Sequence, residues 1–467
     1  MNPYVSARLS RSLIDRRDGH RTKVLMAADR LQAADKLSRE FLQSQQQAAL
    51  AALLNHARAT VPAWKDRFHF TGEISAANAR EVLQRFPVMN KKDLTAAPSE
   101  YISSSVKDAF DNATGGSTGI PLKFKVDRMR QVAGEAAHIW ANSMSGWQYG
   151  ERVAMLWGSD MDVREALADA RRALRCWIEN VRWYNAFDMG ADRMAEYHRA
   201  MLHFRPHVIV AYAGAAFAYA SFLKSRKIIP AYPLKSVIAS AEVLTPDMRG
   251  TIESVFGKPV FDRYGSREFG PVAAECPAHA GMHINEMDCV LEVDSPDPCN
   301  VPGPILITYL RNYAMPFIRY DTGDLGLLMP DRICACGRQT QRLARVIGRR
   351  SDMITTASGR QIHGEWFTHL MYRVEGVRQF QLIQEGLRKY RLVLVADWDR
   401  THLHEEGLRT KILEAVGADS ELHFEYLQHI HPMPSGKYRF TMSLVREAGR
   451  RPESCRFQVK GCRLRKD

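Results

Sequence analysis

Between residues 153 and 264 the chain alternates short apolar runs with stretches of helical spacing, and this alternation restricts its fold more than any other feature. The apolar runs fall at residues 153–157, 181–187, 208–212, 237–241 and 260–264. Short runs of this kind suit strands buried on both faces, and the helical links between them return the chain to begin a parallel neighbour. The expected class is therefore α/β, with a mainly parallel sheet covered on both sides. From about residue 281 to 345 the pattern changes to closely spaced strands, as in MHINEMDCVLEV and GPILITYL. That stretch reads as a β-rich subdomain of the same large N-terminal domain.

A chain of 467 residues exceeds what one core usually serves. Residues 1–347 are assigned to the large domain, the first 110 of them helical by apolar periodicity. Residues 348–446 read as a small, mobile α+β domain, with helices over 365–373 and 402–416 and strands over 379–384, 391–396 and 422–427. A basic tail, 447–467, follows. The apolar stretch 207–223 is shorter than a spanning helix and is rich in Ala, Gly and Tyr, so a buried strand running into a helix is expected there instead.

The formal charge is +13, and residues 446–467 hold eight Lys or Arg against three Asp or Glu. The rest of the excess is spread without a dense basic stripe. This argues against nucleic acid as the main partner and for anionic small molecules. Eight cysteines are too sparse for a disulfide framework in so long a chain. Without a secretory apolar segment near Met1, a reducing cytoplasm fits best. The oligomeric state is left open, a homodimer included.

Several short motifs bear on chemistry. Thr114-Gly115-Gly116-Ser117-Thr118-Gly119-Ile120-Pro121 is a segment whose glycines let the backbone curl so that N–H groups converge on an anion. It is not a Walker loop, because no Lys-Ser/Thr pair follows the glycine. Alone it is equally a plain loop. Asp262-Arg263-Tyr264-Gly265-Ser266-Arg267-Glu268 follows an apolar strand and sets an aromatic face and a carboxylate on one edge. Tyr264 suits a base, and Glu268 suits Mg²⁺ on phosphate oxygens. Arg319-Tyr320-Asp321-Thr322-Gly323-Asp324 ends in a carboxylate able to accept both ribose hydroxyls. Gly348-Arg349-Arg350-Ser351-Asp352 and Pro434-Ser435-Gly436-Lys437 complete the series.

In this order the motifs resemble those of the adenylate-forming superfamily of acyl-CoA synthetases, nonribosomal adenylation domains and luciferases. The similarity is greater to its phenylacetate–CoA ligase-like branch, which also holds capsule-biosynthesis homologues, and runs from about Gln47 to Leu444. The resemblance implies a phosphate loop at Thr114, Gly115, Gly116, Ser117, Thr118 and Gly119, and an adenine and Mg²⁺ motif at Tyr264, Gly265 and Glu268. It implies ribose binding by Asp324, a ribose–phosphate arginine at Arg349, and backbone along the adenine at Ser240, Ala241 and Glu242. Lys437 corresponds to the catalytic lysine of a domain that turns between two half-reactions, with the hinge at Ser351 and Asp352. Ser351 departs from the family's usual Asp, and a hinge needs tolerant backbone angles rather than charge. An acyl pocket is implied at His138, Trp140, Phe187, Tyr212 and residues 239–241.

A second constellation, Cys276-x2-His279-x3-His283 with Cys334-Ala-Cys336, supplies three sulfurs and an imidazole suited to tetrahedral zinc. Either histidine serves by composition. The resemblance implies Cys276, His283, Cys334 and Cys336, as a structural site.

The expected function is ATP-dependent activation of an aryl or arylalkyl carboxylic acid to an acyl-adenylate, then transfer to coenzyme A. Its alternatives are an adenylating acyltransferase serving an amine, sugar or carrier protein, and a catalytically weakened nucleotide-binding scaffold.

Overall fold

The computed structural model describes residues 19–114, 122–158, 176–186, 189–330, 332–350, 353–372, 374, 376–396, 405–430 and 440–445. The chain divides into two compact units, one of residues 1–115 and 121–346, the other of 116–120 and 347–467.

The first unit opens with helices α1 (His20–Ala34), α2 (Arg39–Thr60), α3 (Pro62–Arg67), α4 (Ala79–Arg85) and α5 (Lys91–Ala96). α2 starts where the Ser38 hydroxyl accepts from Phe41 N–H, and it buries Leu42, Gln46, Leu50, Leu53, Leu54 and Ala57 along one face. A hairpin of β1 (Phe110–Ala113) and β2 (Lys123–Val126) leads into α6 (Arg128–Ser143), capped by Asp127 on Arg130 N–H.

Then follow β3 (Val153–Leu156), β4 (Val181–Tyr184), α7 (Ala191–Phe204), β5 (Val208–Tyr212), α8 (Ala213–Ser225), β6 (Ser236–Ser240), α9 (Pro246–Phe256) and β7 (Val260–Ser266). The stretch 207–223 is thus a strand running into a helix, and no helix among the described residues is long and apolar enough to cross a membrane. The chain continues through β8 (Gly270–Glu275), β9 (Met282–Ile284), β10 (Cys289–Val293), β11 (Gly303–Tyr309), β12 (Tyr320–Leu328) and β13 (Arg342–Arg349).

All of these strands from β3 onward join one sheet of eleven, in the order β10-β11-β12-β13-β9-β8-β7-β6-β5-β3-β4. The five strands β7-β6-β5-β3-β4 are parallel. From β7 the chain turns back at once into antiparallel β8, so the β-rich stretch extends the same sheet rather than standing beside it. Val153, Val208, Val210, Ile238 and Phe261 pack with residues of α1 and α6 on one face. Alternate residues point the other way, as the two-residue repeat of a strand requires.

The second unit holds a β14 (Met353–Thr355) and β15 (Gln361–His363) pair, α10 (Gly364–Tyr372), β16 (Val377–Gly386), β17 (Lys389–Ala396), α11 (Glu405–Val416), β18 (Glu421–Tyr426) and β19 (Thr441–Ser443). Its four-stranded sheet runs β18-β17-β16-β19. Phe367, Phe380, Leu392, Leu394, Leu408, Ile412 and Leu422 form its core.

Candidate nucleotide and acyl site

In parallel sheets ligands gather at the carboxyl ends of the strands, and here those ends are Trp157 after β3, Tyr212 on β5, Ser240 on β6 and Tyr264 on β7. Tyr264 donates its hydroxyl to Asp324 Oδ2 at 2.8 Å, with Thr322 Oγ1 at 3.3 Å. The Asp324 backbone N–H in turn donates to Thr322 Oγ1 at 3.2 Å, and Thr322 bonds the Ile305 carbonyl at 3.0 Å. Thr322 therefore orients both partners, a role the sequence reading did not give it. Gly265 lies at a register shift between β7 and β8, and a Cβ there would come within 2.3 Å of the Gly270 carbonyl oxygen. Only glycine allows that approach.

Glu268 sits in the turn between these strands, 3.5 Å from the Tyr320 hydroxyl. Arg130, 7% exposed, bonds the carbonyls of Glu268 at 2.9 Å and Arg267 at 3.1 Å, and so holds the turn from α6. Among the described residues, the buried hydroxyl of Ser266 has no hydrogen-bond partner. An orphaned hydroxyl beside a carboxylate fits a phosphate group with its divalent cation, which Glu268 would hold.

Ser240 bonds the Arg263 carbonyl at 3.0 Å. Ala241 takes a left-handed φ of 67°, rare for a residue with a Cβ and characteristic of functional turns. Glu242 accepts from Gly214 N–H at 2.7 Å, which sets its carboxylate at the positive end of α8. Thr114 closes the β1–β2 hairpin, exchanging bonds with Leu122 through its backbone N–H and its Oγ1, both at 2.9 Å. Gly115, Gly116, Ser117, Thr118, Gly119, Phe187, Ser351, Asp352 and Lys437 lie outside the described residues. Arg349 ends β13, in the second unit.

Of the expected acyl-pocket residues, Tyr212 lies against Trp157 with ring centroids 4.3 Å apart and planes tilted by 39°. His138 is exposed on α6, and the protein atoms around its ring, then the charges of Arg263 and Arg130, push it down to about 3. Trp140 is a correction. It is 1% exposed, and its indole N–H bonds both carboxylate oxygens of Asp35 at 3.1–3.2 Å, so it joins α6 to α1 in the core. It shares a helix with His138 but sits two positions on, on another face.

Asp262 faces the same side of β7 as Tyr264. Burial, then the neighbouring Glu275, push its carboxyl up from 3.8 to about 7, against the opposing pull of Arg249. The native state therefore holds a proton that the unfolded chain releases between pH 4 and 7, and stability falls across that window by up to about 1.4 kcal/mol per pH unit. Asp262→Asn removes the ionisation, so its melting temperature relative to the parent should be higher at pH 8 than at pH 5. Equal differences at both pH values would show that Asp262 titrates normally.

Cys276, His283, Cys334 and Cys336 come together, their ligand atoms all within 4.8 Å of one another. Cys276 Sγ lies 3.7 Å from Cys334 Sγ, and Cys336 Sγ lies 3.4 Å from His283 Nε2. Tetrahedral zinc at ordinary bond lengths sets S···S edges of ~3.8 Å and S···N edges of ~3.6 Å, so the donor set fits that ion. The Thr340 hydroxyl is 2.8 Å from His283 Nδ1, which leaves Nε2 for the metal, and burial pushes the imidazole down to about 4, into its neutral ligand form. His279 is elsewhere: it lies 3.3 Å from Glu275 and against the Phe261 ring.

Residues 354–443 match the family described as the CapK C-terminal domain. The chain is 21% identical over 384 residues to Protein CapK of Staphylococcus aureus, covering 80% of this chain and 82% of that one. It is 26% identical over 350 residues to a phenylacetate–coenzyme A ligase of Pseudomonas putida, covering 70% and 75%. A solved 2-hydroxyisobutyryl-CoA ligase, in the postadenylation state in complex with R3-HIB-AMP, superposes with a TM-score of 0.67 at 18% identity, covering 88% of this chain and 91% of that one, a likeness of fold. The chain is thus similar over most of its length to CapK and to phenylacetate–coenzyme A ligases, and it has the fold of a solved acyl-CoA ligase.

Proposed function

We propose that the chain activates an aryl or arylalkyl carboxylic acid with ATP and passes the acyl group to coenzyme A. The observation that supports this most is the Tyr264–Asp324 hydrogen bond at the carboxyl ends of the parallel strands. It pairs an aromatic face for a base with a carboxylate for ribose hydroxyls. A carboxylate oxygen attacks the α-phosphorus, a new P–O bond forms, and pyrophosphate leaves with the electrons of the broken one. The thiol then adds at the acyl carbonyl and AMP leaves. Two anions must meet in the first step, so positive charge and N–H donors dominate its barrier.

Within that scheme Asp324 and Tyr264 seat the nucleoside, and Glu268 holds Mg²⁺ on the phosphates. Bound there, Mg²⁺ supplies charge neutralisation on the phosphate oxygens. Lys437 would serve the transferring α-phosphate. Cys276, His283, Cys334 and Cys336 would hold zinc in a closed, structural site with no position open for chemistry.

A second reading keeps the same adenylation half and has an amine, sugar or carrier protein accept the acyl group. Pyrophosphate release, measured over a panel of acids with and without coenzyme A, tests both. Acid-dependent release with thioester formed supports the first reading. Acid-dependent release that coenzyme A neither speeds nor consumes supports the second, and no release with any acid overturns both.

A further inference from the structure

On the face of β7 opposite Tyr264 lies a cation that the proposed chemistry does not use. Arg263 is 4% exposed and turns toward α6. Its Nε donates to Ser240 Oγ at 3.3 Å and one Nη donates to Asn142 Oδ1 at 2.8 Å, both neutral acceptors. The other Nη is neither hydrogen-bonded nor sealed in among the described residues. Burial pushes Arg263 down to about 10, far above physiological pH, so it stays charged. The adjacent carboxylate, Asp262, lies on the other side of the strand, where Arg249 and Glu275 surround it. A guanidinium removed from water, with neutral hydrogen-bond acceptors and only the charge of Asp262 to support it, is costly, and an anion bound to its open edge offsets that cost.

The surroundings say what kind of anion. His138 stands one turn before Asn142 on α6, and among the described residues its ring makes no hydrogen bond. Neutral, it can donate one N–H beside Arg263. The guanidinium carbon is 6.0 Å from the Trp157 ring, which lies against Tyr212 at a 39° tilt. A planar fork, an imidazole donor and a pair of aromatic rings thus lie near one another. The fork matches a carboxylate, and the aromatic pair matches a flat ring.

We propose that the acid this chain activates is an aryl acid bearing a second carboxylate, which Arg263 and His138 hold while the ring lies against Trp157 and Tyr212. This rests on the acid-activating reading and narrows it. Trp157 and Arg263 become specificity-determining residues, and Asn142 and Ser240 position the guanidinium.

The test uses the full chain with ATP and Mg²⁺ and matched probes, benzoate against terephthalate and phenylacetate against para-carboxyphenylacetate. ATP–pyrophosphate exchange and calorimetric binding are both measured. The diacid of each pair should be favoured at least about tenfold, the scale of one charge-assisted hydrogen bond, and Arg263→Met should bring the ratio to about one. A ratio near one in the parent, or a preference that survives in Arg263→Met, overturns the proposal. If that variant does not fold by circular dichroism, His138→Ala decides: the ratio should fall severalfold, and an unchanged ratio overturns it. Exchange with monoacids alone would sink this proposal and keep the acid-activating reading. Arg263-dependent diacid binding without exchange would do the reverse.

Discussion

Lys437→Ala is expected to slow acyl-adenylate formation by about 10²–10³, the range for losing one donor aimed at developing charge. The expectation follows from the charge problem of the first half-reaction and from the Pro-x-Gly-Lys setting of Lys437. A carboxylate and a triphosphate repel, and the repulsion grows as they close. A lysine placed at the transferring phosphorus offsets it chiefly in the transition state, so the loss should fall on kcat more than on KM for ATP. Thioester formation from supplied acyl-adenylate needs no such offset and should survive. Single-turnover kinetics of the two steps make the comparison. If both steps fall equally in a folded variant, Lys437 does not have this role.

Zinc should copurify at one ion per chain, and the double substitution Cys334→Ser, Cys336→Ser should reduce it to near zero. Structural zinc sites bind with about 10–16 kcal/mol in small peptides, and two of four ligands are being removed here. The consequence should extend beyond the knuckle. Arg338, two residues after Cys336, bonds Asp35 at 2.9 Å, and Asp35 holds the indole of Trp140 on α6. The Arg39 guanidinium pairs with Glu286, whose carboxylate accepts from Gln341 N–H at 2.9 Å. The cysteine turn is thus tied to α1, α2 and α6. Metal loss should raise hydrogen exchange in His20–Ala34 before it unfolds the rest of the first unit. Elemental analysis of protein prepared without a His-tag measures the zinc. Stoichiometric metal in the double variant would mean that these cysteines are not its ligands.

Much of this was readable in the chain because it is written in local patterns. The alternation over residues 153–264 predicts the parallel strands, since a buried strand must be apolar on both faces and a helix must link it to the next. Motif order leads to the superfamily because glycine, aromatic and carboxylate positions answer to nucleotide chemistry that varies little. The cysteine and histidine spacing pointed to a metal site, but not to which histidine. His279 and His283 are four residues apart, and β9 pairing with β13 through His283 and Arg342 is what carries one of them to Cys336.

Other features depend on contacts between segments far apart in sequence. Trp140 reads as a pocket aromatic until Asp35, 105 positions away, takes its N–H and seals it in the core. Arg263 has no assigned part in the sequence motif that contains Tyr264 and Glu268. Strand alternation turns it to the face opposite Tyr264, and only the packing of α6 shows that it meets Asn142 and His138 rather than a carboxylate. The β-rich stretch reads as part of the large domain, but hydrophobic period does not reveal that its strands join the edge of the parallel sheet. By itself, then, the sequence determined the strands and helices of the parallel sheet and suggested a class of chemistry, through short-range spacing. The tertiary structure decided which side chains come together and with what charge, because burial and electrostatics depend on neighbours that spacing along the chain does not specify.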